Sequence, residues 1–172
     1  MLKALPLFAA LLATGAAAHA QTSSPIQSSP KPPAQSSAPS DEWKHDDLVA
    51  LGHDLLKKAE ATPGGSYSVF LSEYKDHFTM LASRTKSGAG EYHGKWADVF
   101  VCVEGEATVI TGGTLENEKD KDNGEKAGTR VVGGTEHVMR PGDVVHIAAG
   151  VPHQTTVAPG QHVIYYVVKV AQ

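Results

Sequence analysis

The sequence has very little cysteine and no strong excess of charge of either sign. Cys102 is the single cysteine among 172 residues, so the chain can form no internal disulfide and has no Cys-x-x-Cys pair for a zinc ribbon or a thiol-exchange centre. Lysine and arginine number 15 and aspartate and glutamate 19, which gives a formal net charge of -4, and the basic residues form no run that would follow a nucleic-acid backbone. Disulfide scaffolds and thiol-exchange enzymes are therefore excluded, and no nucleic-acid partner is expected.

The sequence also lacks an apolar run near its start that is long enough to cross a bilayer. The stretch from Ala4 to about Ala18 falls short of the roughly 20 residues that a membrane helix needs. Lys3 precedes this stretch, and Ala18-His19-Ala20 forms a small-x-small cleavage pattern after it. Residues 1–20 are therefore predicted to be a secretory signal peptide that is cut before Gln21, rather than a membrane helix. The mature protein is predicted to be periplasmic or secreted, with no membrane association.

The next segment, residues 21–40, contains almost nothing apolar. It holds five of the ten prolines, seven serines and a single charge at Lys31. Ordering such a segment would cost more conformational entropy than its burial returns, so it is predicted to be a disordered or polyproline-like linker. A ligand for a proline-recognition domain is the alternative.

From residue 41 to residue 65 the pattern becomes that of one amphipathic helix. Leucines recur at helical spacing, acidic residues precede them, basic residues follow them, and Thr62-Pro63-Gly64-Gly65 ends the pattern. The residues concerned are Leu48, Leu51, Leu55, Leu56, Asp46, Asp47, Lys57 and Lys58. The leucine stripe is predicted to be a packing face, and His53 is predicted to be solvated.

After Gly65 the sequence changes to short β-branched segments separated by glycine and proline. Pro141-Gly142 suits the two central positions of a type II turn. Many short, evenly spaced strands favour an all-β sandwich or barrel. The predicted strands are Ser66–Glu73, Phe78–Arg84, Asp98–Val103, Ala107–Thr111, Arg130–Val132, His137–Met139, Val144–Ala148 and His162–Val170.

Two predicted strands and one intervening segment differ from the rest in polarity. Val99–Val103 and Val163–Val168 are apolar at consecutive positions, which predicts burial on both sides. Thr114–Thr129 is charged and contains glycine, so it is predicted to be a long mobile surface loop. Asp120–Glu125 within it lacks the order of ligands that an EF-hand needs, which favours a solvated loop over a calcium site.

Two segments carry a resemblance to a known family. Gly142 is followed by five residues, Ala148, one residue, Gly150, two residues and His153, which resembles the second motif of the cupin superfamily of small β-barrels. The segment departs from the family at Ala148, where proline is usual, and at Val157, where asparagine is common. The resemblance covers about residues 88–170 and implies a cupin-type β-barrel, also called a double-stranded β-helix or jelly roll, over residues 66–172 after the helix.

The first cupin motif is matched less closely. Counting back from the turn at Gly105 puts Asp98 at the family's glutamate position, and a four-residue gap then puts His93 and Glu91 at the two histidine positions. A three-residue gap would instead put Tyr92 and Gly94 there. Because residues 93 and 98 lie on opposite faces of a regular strand, the four-residue gap requires a β-bulge, for which Gly94 is a natural place.

The resemblance implies a metal site of Glu91, His93, Asp98 and His153. Imidazole nitrogen together with carboxylate oxygen suits a divalent Mn, Fe, Zn, Ni or Cu ion and leaves positions open for water or substrate. Two histidines and two carboxylates make a more oxygen-rich set than the family's usual three histidines and one glutamate. No specific reaction of the family is therefore carried over to this chain.

Other side chains near these motifs admit two interpretations each. His137 and His146 could line the barrel as proton carriers, but the pattern around Val145 and Ile147 favours positions on the sheet surface. Cys102 is expected to be a buried structural cysteine. Trp96 could stack on a sugar or aromatic ligand, or it could cover the rim of the barrel.

The sequence thus predicts an exported cupin that binds a divalent metal and binds or transforms a small polar molecule. If it is an enzyme, a metal-dependent isomerase or oxygenase is expected from the resemblance. The alternatives are a metal-free module that binds or senses a small molecule without catalysis, and an interaction protein that uses the helix or the linker. A homodimer is an expectation from the resemblance alone.

Overall fold

The computed structural model describes residues 40–172. The predicted signal peptide and residues 21–39 of the predicted linker therefore lie outside the described residues. Within the described part, no helix combines the length and the apolar character that crossing a membrane requires.

The described residues form one α-helix followed by strands. The helix, α1, spans His45–Glu60 and lies within the predicted range of 41–65. A single 3-10 turn spans Asp122–Gly124. The strands in chain order are β1 Ser66–Glu73, β2 His77–Arg84, β3 Gly90–His93, β4 Trp96–Gly105, β5 Ala107–Thr111, β6 Thr114–Glu116, β7 Lys119–Asp120, β8 Glu125–Gly128, β9 Arg130–Val132, β10 Thr135–Met139, β11 Val144–Ile147, β12 His153–Thr156 and β13 Val163–Ala171.

The strands form two antiparallel sheets that enclose one core. The five-stranded sheet has the order β1-β2-β13-β4-β11, the six-stranded sheet has the order β10-β5-β12-β3-β8-β7, and β6 and β9 form a separate pair. Alternate residues of both sheets meet in the core, with Met80, Phe100 and Tyr165 from the first and Val109 and Met139 from the second. The predicted all-β class is confirmed: the described residues form antiparallel sheets packed as a jelly roll, preceded by one amphipathic helix.

Helix α1 covers the outer face of the five-stranded sheet. Leu48 and Leu55 of the helix are buried against Leu81, Val103 and Ile164, which confirms that the leucine stripe is a packing face. Removing this apolar surface from water is the main stabilisation of the helix, because an isolated helix of this length is marginal in water.

A glycine at the centre of α1 sets the distance between helix and sheet. A Cβ atom added at Gly52 would lie 2.4 Å from Cγ2 of Ile164, so no larger residue fits without moving the helix. The buried hydroxyl of Ser83 donates a hydrogen bond to the Gly52 carbonyl at 2.9 Å. The close approach therefore gives this carbonyl a second, side-chain donor from the sheet.

A carboxylate joins the helix to the end of the sheet. Nε2 of His53 on α1 lies 2.9 Å from Oε1 of Glu104, and Nε2 of His162 lies 3.0 Å from the same oxygen. His53 is half-exposed, as predicted, but it is also paired with Glu104. The hydrogen bond from His162 and that from His53 hold the pKa of the Glu104 carboxyl below its ordinary value of 4.5.

The Glu104 pairings predict a small pH-dependent contribution to stability. A carboxyl whose folded-state pKa is lowered stabilises the fold above its ordinary pKa, and this stabilisation is lost as the pH falls through the lowered value. Glu104→Gln is therefore expected to reduce the free energy of unfolding at pH 7 by at most about 1 kcal/mol, and by less near pH 3, because the group is partly exposed. Urea denaturation at several pH values measures the effect, with the exposed Glu136→Gln as the control. An equal loss at pH 3 and pH 7 would contradict it.

The segment Thr114–Thr129 was predicted to be a mobile loop, and this prediction was wrong. The segment contains β6, β7 and β8, of which β8 pairs with β3 and so belongs to the six-stranded sheet. Leu115 and Ala127 are buried and anchor it. Most of its charged side chains are exposed, but the backbone hydrogen bonds of a sheet do not require apolar side chains.

Other strand predictions were close or incomplete. The predicted bounds of β1, β5 and β9 are confirmed, whereas β3 and β12 were not predicted as strands. The type II turn at Pro141-Gly142 is confirmed by a φ of 90° at Gly142. Burial of Val99–Val103 on both faces holds only in part, because Val99 and Val101 are half-buried, whereas Val103 belongs to the cluster under the helix.

Candidate metal centre

Glu91 and His93 occupy the short strand β3 near the centre of the six-stranded sheet. They are two residues apart and therefore share a face of the strand. Beyond His93 the chain turns at Gly94-Lys95 into β4, which belongs to the other sheet. The expected β-bulge at Gly94 is therefore wrong: His93 and Asp98 lie on two strands of different sheets, and the turn between them brings their side chains together.

Glycine is required at this turn. The Gly94 amide donates a hydrogen bond to the Gly124 carbonyl at 3.1 Å. A Cβ atom at residue 94 would lie 2.6 Å from the same oxygen, which is too close for any side chain.

His153 begins β12 and lies directly opposite Glu91 in the sheet. Its ring is 2% exposed. Nδ1 lies 3.1 Å from the Val151 carbonyl, which can only accept, so in the neutral ring the proton sits on Nδ1. The lone pair of Nε2 is then directed into the space between the sheets.

Asp98 reaches the same space from the opposite sheet. Its side chain is 1% exposed, and its Oδ2 lies 3.4 Å from Nε2 of His153 and 3.6 Å from Nε2 of His93. Oε2 of Glu91 lies 3.9 Å from Nε2 of His153 and 4.0 Å from Nε2 of His93. The structure thus brings together all four side chains that the sequence analysis proposed as ligands.

The spacing of these atoms suits a metal ion better than hydrogen bonds. Nε2 of His93 and Nε2 of His153 are buried and have no hydrogen-bond partner among the described residues. Donor atoms that bind one ion at about 2.1 Å in a tetrahedron lie about 3.4 Å apart. Glu91, His93 and His153 lie close enough to hold an ion, and Asp98 adjoins them.

A carboxylate that the sequence analysis missed orients His93. Glu125, the first residue of β8, accepts a hydrogen bond from Nδ1 of His93. This contact leaves Nε2 as the free nitrogen, in the arrangement that commonly supports a metal-binding histidine. Glu125 lies in the segment that was predicted to be a mobile loop, and no local motif points to its role.

A lysine that the sequence analysis also missed pairs with Asp98. Nζ of Lys169 on β13 lies 2.7 Å from Oδ1 and 2.9 Å from Oδ2 of Asp98. Lys169 itself is largely buried. A metal ion bound through Asp98 would therefore share this carboxylate with an ammonium group.

The charges around the site favour the ionised forms of its carboxyl groups and of His153. Burial by itself raises the pKa of both Glu91 and Asp98, but other groups outweigh it, and both pKa values are lowered. The charge of Arg84 has the largest lowering effect on Glu91, and the contact with His153, followed by the charge of Lys169, has the largest on Asp98. Burial lowers the pKa of His153, while its contact with Asp98 and the charge of Glu91 raise it, and the net direction is upward. Carboxylates are the form that a metal ion requires.

The remaining candidates lie outside this cluster. His137 and His146 are exposed, as the pattern around Val145 and Ile147 favoured. Cys102 is buried, and burial raises the pKa of its thiol to about 11, so it is an inert structural cysteine. Trp96 packs edge-on against Phe78 with ring centroids 5.1 Å apart.

Comparison with family models and with curated proteins gives no match, whereas comparison with solved structures gives many. No family model and no curated protein matches the chain. Oxalate oxidase in complex with glycolate matches at 18% identity and a TM-score of 0.46, over 64% of this chain and 53% of that one. KdgF from Halomonas sp. matches at 11% identity and a TM-score of 0.46, over 63% and 81% of the two chains.

A third match is the polyketide cyclase RemF from Streptomyces resistomycificus, at 16% identity and a TM-score of 0.45, over 64% of this chain and 69% of that one. The chain spans about half the length of the oxalate oxidase. The reactions in these names belong to those proteins.

Proposed function

We propose that this chain, whose fold is of the cupin type, is an exported protein that binds a divalent metal ion between its two sheets. Glu91, His93, Asp98 and His153 would hold the ion, and a small polar molecule would bind or react at its open positions. The observation that carries the proposal is the convergence of two imidazole nitrogens with two carboxylates at 3.4–4.0 Å, the nitrogens being buried and without a hydrogen-bond partner within residues 40–172. Export is proposed from the pattern of residues 1–20.

The donor set limits the metals to consider. Two imidazoles with carboxylates suit Mn, Fe, Zn, Ni or Cu, whereas Mg and Ca prefer oxygen alone. When bound, such an ion would supply Lewis acidity, polarising a substrate oxygen or lowering the pKa of a water molecule. The enzyme class, isomerase, oxygenase or another, stays open.

The chain's own residues have distinct parts in this proposal. Glu125 would fix the ring of His93, and the Val151 carbonyl would fix that of His153. Lys169 would keep Asp98 ionised. The Glu91 side chain is 44% exposed, so the small molecule would enter beside it, on the side of the cluster that solvent reaches.

The test is elemental analysis by mass spectrometry on the mature chain, purified without a metal-affinity tag. About one equivalent of one transition metal is expected in the wild type, because four donors converge on one point. His93→Ala and His153→Ala are each expected to lose it, whereas His146→Ala, which removes an exposed histidine, is expected to keep it. Glu125→Gln is expected to weaken metal binding by about 10–100-fold, since it removes only the support of one ligand.

The contrary result would be a wild type without metal after incubation with each of the five divalent ions. In that case one observation favours the second candidate function, which is a metal-free module that binds a small molecule. The ammonium group of Lys169 already lies on Asp98, so the cluster holds a cation without any ion. His93→Ala would then change ligand binding with no change in metal content.

A further inference from the structure

Arg84 is a partly buried arginine that is not among the candidate metal ligands. It ends β2 and alternates with Ala82 and Met80, which are buried in the core between the sheets. Its Nε donates a hydrogen bond to the hydroxyl of Tyr165 at 3.0 Å. Within residues 40–172 no carboxylate oxygen lies within 4.0 Å of the Arg84 guanidinium, and its Nη1 and Nη2 groups donate to no protein acceptor.

Two aromatic rings connect the guanidinium to the candidate metal centre. Tyr165 is 5% exposed and packs on Phe100 with ring centroids 5.1 Å apart, and Phe100 packs on His153 at 6.2 Å. The contact with Tyr165 and the charge of Glu91 raise the pKa of Arg84, while burial opposes them. Glu91 is therefore within electrostatic reach of Arg84, although it makes no ion pair with it.

The backbone is shaped to admit this side chain. A Cβ atom added at Gly88 would lie 2.6 Å from Nη1 of Arg84, so the guanidinium lies directly against a residue that has no side chain. Gly88 is itself fixed by a hydrogen bond from its amide to the Thr155 carbonyl at 2.9 Å. The position of the guanidinium is thus supported from both sides, by Tyr165 and by Gly88.

We infer that Arg84 and Tyr165 form a subsite for a carboxylate, so that the small molecule bound beside Glu91 is an organic acid. A guanidinium whose terminal N–H groups have no acceptor among the described residues offers the planar, two-point donor pattern that a carboxylate fits. The charges agree with this assignment. The carboxylates of Glu91, Asp98 and Glu125 carry three negative charges, whereas Lys169, Arg84 and a divalent ion carry four positive ones. One positive charge remains, which the carboxylate of the ligand would neutralise. The inference rests on the proposed function and names the class of its ligand.

The test is calorimetric titration of the folded protein with acetate, lactate and malonate, beside the neutral acetamide, propane-1,2-diol and malonamide. At least one acid is expected to bind, and its neutral counterpart is expected to bind more than about tenfold more weakly. Arg84→Met is expected to weaken the acid by about 10–100-fold, the effect of losing a hydrogen bond to a charged group. Arg140→Met, which removes an exposed arginine paired with Glu106, is expected to have no effect.

Two further variants keep the test decisive if Arg84→Met does not fold. Arg84→Lys keeps the charge but loses the two-point pattern, so an affinity between those of the wild type and Arg84→Met is expected. Tyr165→Phe removes the acceptor that holds Nε and is expected to weaken the acid severalfold. The inference is overturned if no acid binds more tightly than its neutral counterpart, or if acid binding is the same in the wild type and the Arg84 variants.

The titrations are made on both metal-loaded and metal-free protein, with the metal content of every sample measured. Loss of acid binding in Arg84→Met with the metal content unchanged supports the carboxylate subsite. Metal bound without any preference for acids overturns the subsite and leaves the proposed metal centre intact. Acid binding to a protein that takes up no metal overturns the metal centre and supports the subsite.

Discussion

Lys169→Met is expected to lower the free energy of unfolding of the metal-free protein by about 3–5 kcal/mol, because it leaves a buried carboxylate without its cation. Asp98 is 1% exposed, and the ammonium group of Lys169 lies 2.7 Å from one of its oxygens. The imidazoles of His93 and His153 are 3.6 and 3.4 Å away and replace that cation only if they are protonated. Urea denaturation in the presence of a chelator measures the loss.

Two controls separate the effect of breaking the ion pair from the effect of removing a lysine side chain. Lys119→Met removes an exposed lysine from β7 and is expected to change stability by less than about 0.5 kcal/mol. The double variant Asp98→Leu with Lys169→Met is expected to recover most of the loss, since replacing both members of a buried pair by apolar groups is often neutral. A loss below about 1 kcal/mol in Lys169→Met would mean that the histidines already neutralise Asp98.

Gly105→Ala is expected to destabilise the protein by about 2–5 kcal/mol, which combines backbone strain of about 1–2 kcal/mol with overpacking of about 1–3 kcal/mol. Gly105 ends β4 with a φ of 80°, a conformation that costs other residues free energy. A Cβ atom there would lie 2.1 Å from the His162 carbonyl oxygen, which is fixed because it accepts from the Glu106 amide. Urea denaturation is again the measurement.

Gly142→Ala is the matched control for this variant. Gly142 has a φ of 90°, but nothing lies within 4 Å of its added Cβ. The control therefore carries the backbone strain alone, and a loss of about 1–2 kcal/mol is expected. Equal losses in the two variants would show that the contact with His162 relaxes without cost, contrary to the expectation.

The parts of the fold that could be predicted are those where the pattern of apolar and polar side chains indicates the secondary structure. The leucine stripe of α1 and the apolar, β-branched segments of β1 and β5 were predicted from their side chains, and the structure confirms them. Strands β3, β8 and β12 have the sequences GEYH, EKAG and HQTT, which contain few apolar residues. These strands form because their backbones make hydrogen bonds to neighbouring strands. Such hydrogen bonds do not require any particular pattern of side chains.

The residues of the candidate site also divide into those that could be predicted from the sequence and those that could not. The resemblance to the two cupin motifs was enough to propose Glu91, His93, Asp98 and His153, and the structure brings them together, while binding of a metal by them stays a prediction. Their partners could not be proposed from spacing. Glu125 is 32 residues from His93, Lys169 is 71 from Asp98, and Tyr165 is 81 from Arg84, so only the pairing of the strands places them in contact.

The position of β13 has a consequence for how the chain is made. This strand comes last along the sequence but lies in the middle of the five-stranded sheet, between β2 and β4. During synthesis, β1-β2 and β4-β11 leave the ribosome before the strand that joins them exists. A chain that stops before Val163 would keep two separate sheet fragments with open edges and apolar faces, and such fragments are prone to aggregate.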